Sequence, residues 1–373
     1  MAVKIAVPRE NRPNERRVAL VPSVVAKLKK LGVELRLEAG AGAAALIPDD
    51  AYAKAGVAVG AATLDADIVL KVQPPSLDEA RQLREGSVLF SFVYAHREAE
   101  LVKLLRDRKI TCFAMELVPR ITRAQAADAL SSQAALAGYY GALLAATSLA
   151  RILPMMTTAV GSIRPAKVLV MGLGVAGLQA LATARRLGAM VEGYDVRPET
   201  KEQAESLGAK FVDTGVDARG QGGYARELTA EEKAKVAAVL TKHIQQADAI
   251  ITTAAIPGRP SPKLISKAQI EGMKPGAVIV DLAADGGGNA ELTQPGETTR
   301  IGDVTLVAPL NVPSLLAEHA SELYSKNLLN LLELIIKDGA LNLNWDDEVV
   351  AKTCLTHGGA IKNEAARKAV EGA

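Results

Sequence analysis

Aromatic side chains make up only 3% of this 373-residue chain, and there is a single Trp. A core of this size must therefore be built from Ala, Val, Leu and Ile, which suits strands buried on both faces of a parallel sheet. The two cysteines, Cys112 and Cys354, form no metal or redox pattern, so a reducing cytosol is the simple expectation. No two of His96, His243, His319 and His357 share metal-ligand spacing, so no metal site is expected. Nothing resembles a Ser/His/Asp triad or an activated Cys. The net charge of +2 argues against a nucleic-acid partner. No run of about 18 uncharged apolar residues occurs, so no direct membrane insertion is expected. The opening MAVKIAVPRENRPNERRVAL lacks the apolar centre of a signal peptide.

What the chain does contain is the stretch Lys167 to Arg197, KVLVMGLGVAGLQALATARRLGAMVEGYDVR. Lys167–Met171 reads as a buried strand. Gly172, Gly174 and Gly177 give G-x-G-x-x-G, with Leu173 and Val175 between them. Ala180, Leu181, Ala184 and Leu187 mark a helical face ended by Gly188. Val191–Tyr194 reads as the next strand, with Asp195 at its carboxyl end, followed by Val196 and Arg197. A lone G-x-G-x-x-G is a weak signal. Strand, turn, helix and strand-end acid together form the context that a dinucleotide fingerprint requires. Gly172 permits the tight turn, Gly174 lets a pyrophosphate approach the backbone, and Gly177 allows close helix packing. The helix N-terminus offers free N–H groups to phosphates. Asp195 is placed to accept from both adenosine ribose hydroxyls and to repel a 2′-phosphate, favouring NAD over NADP. Arg197 blurs this, since an Arg there can pair with a 2′-phosphate. The bland reading is an ordinary strand–helix turn with a surface Asp.

The β-α-β rhythm on both sides predicts an α/β chain of two Rossmann-like, doubly wound parallel-sheet domains with a cleft between them. The first is discontinuous, residues 1–138 plus 311–373, and the nucleotide domain is 139–310. Ser23 is expected to cap the first helix, Thr229 and Glu232 to form a capping box, and 155–166 to be a linker. A long helical pattern is expected from Val312 to Ile336, broken only by Pro313 near its start, then a small strand–turn–strand in the tail. Thr253, Ala254, Ala255 and Ile256 follow a strand end and should line the cofactor pocket. Gly223 and Tyr224 sit in a glycine-rich loop, with Tyr224 a candidate lid residue or part of a solvated loop. The polar segment at the domain seam carries Arg120, Gln125, Asp128 and Ser131. If the segment is helical, Gln125, Asp128 and Ser131 share a face. They either hold a nicotinamide ribose or carboxamide, or belong to a solvated connection.

Several stretches together resemble one superfamily. PRENRPNERRVALVPSVVAKL, DIVLKVQPP and GLGVAGLQALATARRLGA are similar to alanine dehydrogenase and to the NAD-binding domain I of proton-translocating nicotinamide nucleotide transhydrogenase. Arg17, Lys71 and Asp285 match alanine dehydrogenase positions. The catalytic His position of that family holds Tyr94, with His96 two residues out of register. PRITRAQAADALSSQAALAGY resembles the transhydrogenase RQD loop, and GGYAREL its mobile loop. By that resemblance Arg120, Gln125 and Asp128 bind the nicotinamide nucleotide and serve hydride transfer. Ile121, Thr122, Arg123, Ala126, Ala127 and Ser131 line the same loop, and Asp195 binds the adenosine ribose. The resemblance implies an NAD(H)-binding subunit that passes hydride to NADP⁺ on a partner subunit, coupled to proton translocation in the assembled complex. It further implies a homodimer, a membrane-spanning partner, and a place on the cytoplasmic face of the inner membrane held through partner subunits. The rival expectation is a self-sufficient alanine dehydrogenase using Lys71, His96 and Asp285.

Overall fold

The computed structural model describes residues 2–61, 64–217, 226–256 and 259–372. The chain divides into two compact units, Met1–Gln133 with Pro313–Ala373, and Ala134–Val312. Each is built on its own mostly parallel sheet, so the fold is α/β with two doubly wound domains.

In the first unit the strand order is Ala360–Ile361, Cys354–His357, Thr111–Ala114, Val88–Ser91, Ile68–Leu70, Lys4–Val7, Glu34–Glu38 and Ala58–Gly60. The six strands from Thr111–Ala114 to Ala58–Gly60 run parallel, and the C-terminal pair adds an antiparallel edge. Val88–Ser91 and Thr111–Ala114 are buried at every position, as central parallel strands covered on both faces must be. The first helix, Pro22–Lys30, differs from expectation at its start. Pro22 takes the first turn, where its missing N–H costs nothing, and Ser23 lies inside the helix instead of capping it. The pattern from residue 312 is interrupted at Leu316 into Val312–Leu315 and Ala317–Ile335.

In the second unit the order is Lys210–Phe211, Met190–Tyr194, Lys167–Met171, Ala249–Thr252, Val278–Asp281, Val304–Val307 and Thr298–Ile301, the last antiparallel. The capping box forms as expected, Thr229 Oγ1 accepting from Glu232 N and Glu232 accepting from Thr229 N. The expected linker at 155–166 contains an antiparallel hairpin, Met156–Thr158 with Gly161–Ile163.

The strand order of the first sheet reverses at Lys4–Val7, next to Ile68–Leu70, and the chain's own charges fill the space beyond those strand ends. Lys71 is fully buried, donates to Glu79 at 2.9 Å and lies 3.6 Å from Glu10. Glu10 accepts from the Val72 and Gln73 backbone N–H groups. Arg17 grips both oxygens of Glu15 at 2.8 and 2.6 Å, and its third arm donates to Gln133. Burial pushes the Glu15 carboxyl up. The hydrogen bonds and charge of Arg17 outweigh that and hold it at about 2. A carboxylate depressed in this way stabilises the fold at neutral pH, on the order of 3 kcal/mol, and loses that stabilisation as pH falls from about 4.5 toward about 2. Glu15→Gln should therefore lower the unfolding free energy at pH 7 by about 3 kcal/mol, because it leaves a buried guanidinium poorly paired. Urea denaturation should show the gap to wild type closing below about pH 4.5. A gap independent of pH would mean that the ion pair is not its source.

Candidate functional site

Lys167–Met171 pairs on one side with Met190–Tyr194 and on the other with Ala249–Thr252, so the strand order of the second sheet reverses at this strand. Two loops leave the neighbouring carboxyl ends there, one through Gly172–Gly174 and one through Thr253–Ile256. They are fastened to each other by Thr253 Oγ1, which donates to Gly172 O at 2.7 Å.

The three glycines have different physical reasons. Gly172 has φ +93°, and a Cβ on it would lie 2.9 Å from Ala254 N. A Cβ on Gly177 would lie 1.8 Å from Gly172 O, so the first turn of the helix Val175–Arg186 rests on the glycine turn itself. Gly174 is unlike both. Its φ of −78° suits any residue, and a Cβ on it would meet nothing within 4 Å among the described residues. No neighbour described in the chain asks for glycine at 174. It is the N-cap of the helix, and among the described residues no side chain caps the N–H groups of the first turn. The result is a bare, open cradle of backbone donors at the positive end of a 12-residue helix, which fits a phosphate.

Asp195 stands beyond the end of Met190–Tyr194, and its carboxylate accepts four N–H donors. Oδ2 accepts from Leu173 N at 2.7 Å and Arg197 Nη2 at 2.8 Å, while Oδ1 accepts from Arg197 N and Nε, both at 2.9 Å. The Leu173 side chain is buried and contributes its backbone N–H, Val175 is exposed, and Val196 packs on the core. Thr253 and Ala254 are half-buried and Ala255 is exposed.

Two residues that hold this loop escape sequence reasoning. Asn289 clamps the Ala254 peptide, accepting from Ala254 N at 3.0 Å and donating to Ala254 O at 2.8 Å. Asp281, fully buried at the end of Val278–Asp281, accepts from Asn289 N, Ala290 N, Ala283 N and the Thr252 and Thr293 hydroxyls. The only trace of them in the sequence is a strand-end acid followed by the turn GGGN, a few residues past Asp281.

The polar segment belongs to the first unit and is not one helical face. Thr122–Ala127 is a 3₁₀ helix, and the long helix starts afresh at Ala129. Asp128 sits between them as a helix cap, accepting from Ser131 N at 2.9 Å and Ser131 Oγ at 2.6 Å. Arg120 and Gln125 are exposed. Arg123 makes a two-pronged pair with Asp347, at 2.7 and 2.8 Å. Ile121 packs on the core, Thr122 and Ala126 are exposed, and Ala127 is buried. The Ala126 carbonyl accepts from Asn327 Nδ2. Gly223 and Tyr224 lie outside the described residues. Of the rival set, Lys71 is committed to Glu79 and Glu10, His96 is exposed, and Asp285 is exposed and accepts from Asn311 N at 3.2 Å. Burial and Arg97 hold the His96 imidazole below its usual pKa. Among the described residues no helix is long and apolar enough to cross a membrane.

Residues 6–137 match the family described as Alanine dehydrogenase/PNT, N-terminal domain, and residues 141–364 match its C-terminal domain. The chain is 47% identical to the first part of the NAD(P) transhydrogenase subunit alpha of Rhodospirillum rubrum, over 97% of this chain and 98% of that one. It is 30% identical to "Alanine dehydrogenase" of Mycobacterium tuberculosis, over 97% of this chain and 95% of that one. In three dimensions it resembles a transhydrogenase from Sinorhizobium meliloti with a TM-score of 0.87 and 48% identity, covering 96% of this chain and 99% of that one.

The glycine geometry separates folding from binding. Gly177→Ala should cost roughly 2–4 kcal/mol in chemical denaturation, because its methyl overlaps Gly172 O. Gly174→Ala should stay within about 1 kcal/mol of wild type. Equal losses for the two would show that Gly174 is needed by the fold.

Proposed function

The chain belongs to the alanine dehydrogenase/PNT family, and from that premise and the geometry of the glycine turn we propose that it is the NAD(H)-binding subunit of a proton-translocating NAD(P) transhydrogenase. The observation that carries the reading is Gly174, a glycine that, among the described residues, faces open space at a helix N-terminus with no side-chain cap. A Cβ at Gly174 would meet nothing within 4 Å among the described residues, so the glycine there is accounted for by a phosphate approaching the backbone.

Bound NADH would supply a hydride from nicotinamide C4 to C4 of an NADP⁺ held on a partner subunit, giving NAD⁺ and NADPH with no proton taken up or released. The residues of this chain bind and orient. Backbone N–H groups at the start of Val175–Arg186 receive the pyrophosphate, and the Thr253–Ala255 loop, clamped by Asn289, walls the pocket. Asp195 receives the adenosine ribose hydroxyls. Arg120 and Gln125 receive the nicotinamide end, with Asp128 and Ser131 fixing the turn that presents them. A direct hydride step needs aligned rings and no protein acid or base. That agrees with Lys71 being held inside the first unit by its own carboxylates. The working assembly is proposed as a homodimer of this chain on the cytoplasmic face of the inner membrane. A membrane-spanning subunit holds it there, an NADP-binding subunit completes the transfer, and proton translocation belongs to the whole complex.

The purified chain should bind NADH, leave alanine untouched with NAD⁺, and transfer hydride only after the NADP-binding partner is added. Gly174→Ala should weaken NADH binding at least about ten-fold in calorimetric titration while the protein stays folded. Turnover of alanine by the chain alone would overturn the proposal in favour of a self-sufficient dehydrogenase.

A further inference from the structure

Asp195 is saturated by this chain's own donors. Its four acceptor positions are taken by Leu173 N, Arg197 N, Arg197 Nε and Arg197 Nη2, at 2.7 to 2.9 Å. The Asp195 side chain is almost fully buried, with 7% of it exposed, whereas the Arg197 side chain keeps 19% of its surface in solvent. The backbone donors alone hold Asp195 in place, one N–H on each oxygen. The two guanidinium bonds are therefore not needed to orient it. They occupy the lone pairs left over, which a vicinal diol would use.

We propose that Arg197 is a specificity-determining residue that competes with the adenosine ribose for Asp195. The inference rests on the nucleotide-binding reading above. A ribose 2′,3′-diol donates to Asp195 only after Nε and Nη2 have let go, so each binding event exchanges two charge-assisted bonds for two from hydroxyls. The competition lowers NAD(H) affinity without removing the preference for a free diol, keeping the cofactor exchangeable. A displaced guanidinium beside the 2′-position is also the group that softens the repulsion between Asp195 and a 2′-phosphate. Removing it therefore acts on the two nucleotides in opposite directions, which a merely structural role would not do.

The test is calorimetric titration of the full chain with NADH and NADPH, comparing wild type with Arg197→Met, which keeps the apolar stem and deletes the donors. NADH should bind roughly three- to ten-fold more tightly to the variant and NADPH more weakly, so that the ratio of the two affinities rises at least about ten-fold. Arg197→Lys, which keeps a charge but not the two-pronged grip, should fall between. Wild-type chain that binds NADH, with Arg197→Met binding it equally or less tightly, would overturn the competition while leaving the nucleotide reading intact. Wild-type chain that does not bind NADH would overturn both. Circular dichroism of each variant establishes that the comparison is between folded proteins.

Discussion

The structure of the second unit depends on one close approach of backbone to backbone. The helix Val175–Arg186 comes down onto the turn that precedes it, near enough that a Cβ on Gly177 would lie 1.8 Å from Gly172 O. That same carbonyl is the acceptor for Thr253 Oγ1 from the next strand over. One peptide group therefore ties together the central strand, the helix and the neighbouring loop. The side-chain-free corner is what allows the helix N-terminus to face outward at the point where strand order reverses. Within the second unit, Asp195 is held through Leu173 N, and Ala254 through Asn289 and the buried Asp281.

The two sheets have the same winding and opposite electrostatics at their reversal points. In the first, Lys71, Arg17, Glu10, Glu15 and Glu79 satisfy one another in a buried network, with Tyr324 donating to Lys71 O. Such a network is costly to break and offers no unpaired charge to a small acid. In the second, among the described residues, no side chain caps the helix end and Gly174 has no neighbour where a Cβ would lie. A fold shared with amino-acid dehydrogenases thus carries a filled position in one unit and an open one in the other. The proposed role, a cofactor held by this chain and the rest of the reaction left to a partner, is consistent with that arrangement.

The parts legible in the sequence are those whose requirements are local. Gly172 needs positive φ, Gly188 and Gly208 end helices in the left-handed region, and Thr229 with Glu232 closes a capping box. The strand Ala249–Thr252 points to the loop at Thr253, because carboxyl ends of parallel strands are where ligands sit. Requirements met by distant residues are not legible. Asn289 is defined by a peptide 35 positions away. The hairpin at 156–163 has strands too short to show alternation. Asp128 fits a helical face by spacing alone, yet its short carboxylate suits it better to end a 3₁₀ turn and begin an α-helix. Arg197 is only two positions from Asp195, yet nothing in the letters distinguishes a guanidinium that waits for a phosphate from one already folded onto the acid. The function proposed for the polar segment comes from its likeness to a family and not from periodicity.

The central claim is that this chain holds NADH for direct transfer to a second nucleotide bound elsewhere. The most direct measurement is a single turnover with NADH carrying deuterium at the transferable C4 position, bound to this chain and mixed with NADP⁺ on its binding partner. Deuterium recovered quantitatively at C4 of NADPH, with none in water and none released by the chain alone, is the expected result. Deuterium lost to solvent, or delivered to pyruvate and ammonia by the isolated chain to give alanine, would contradict it.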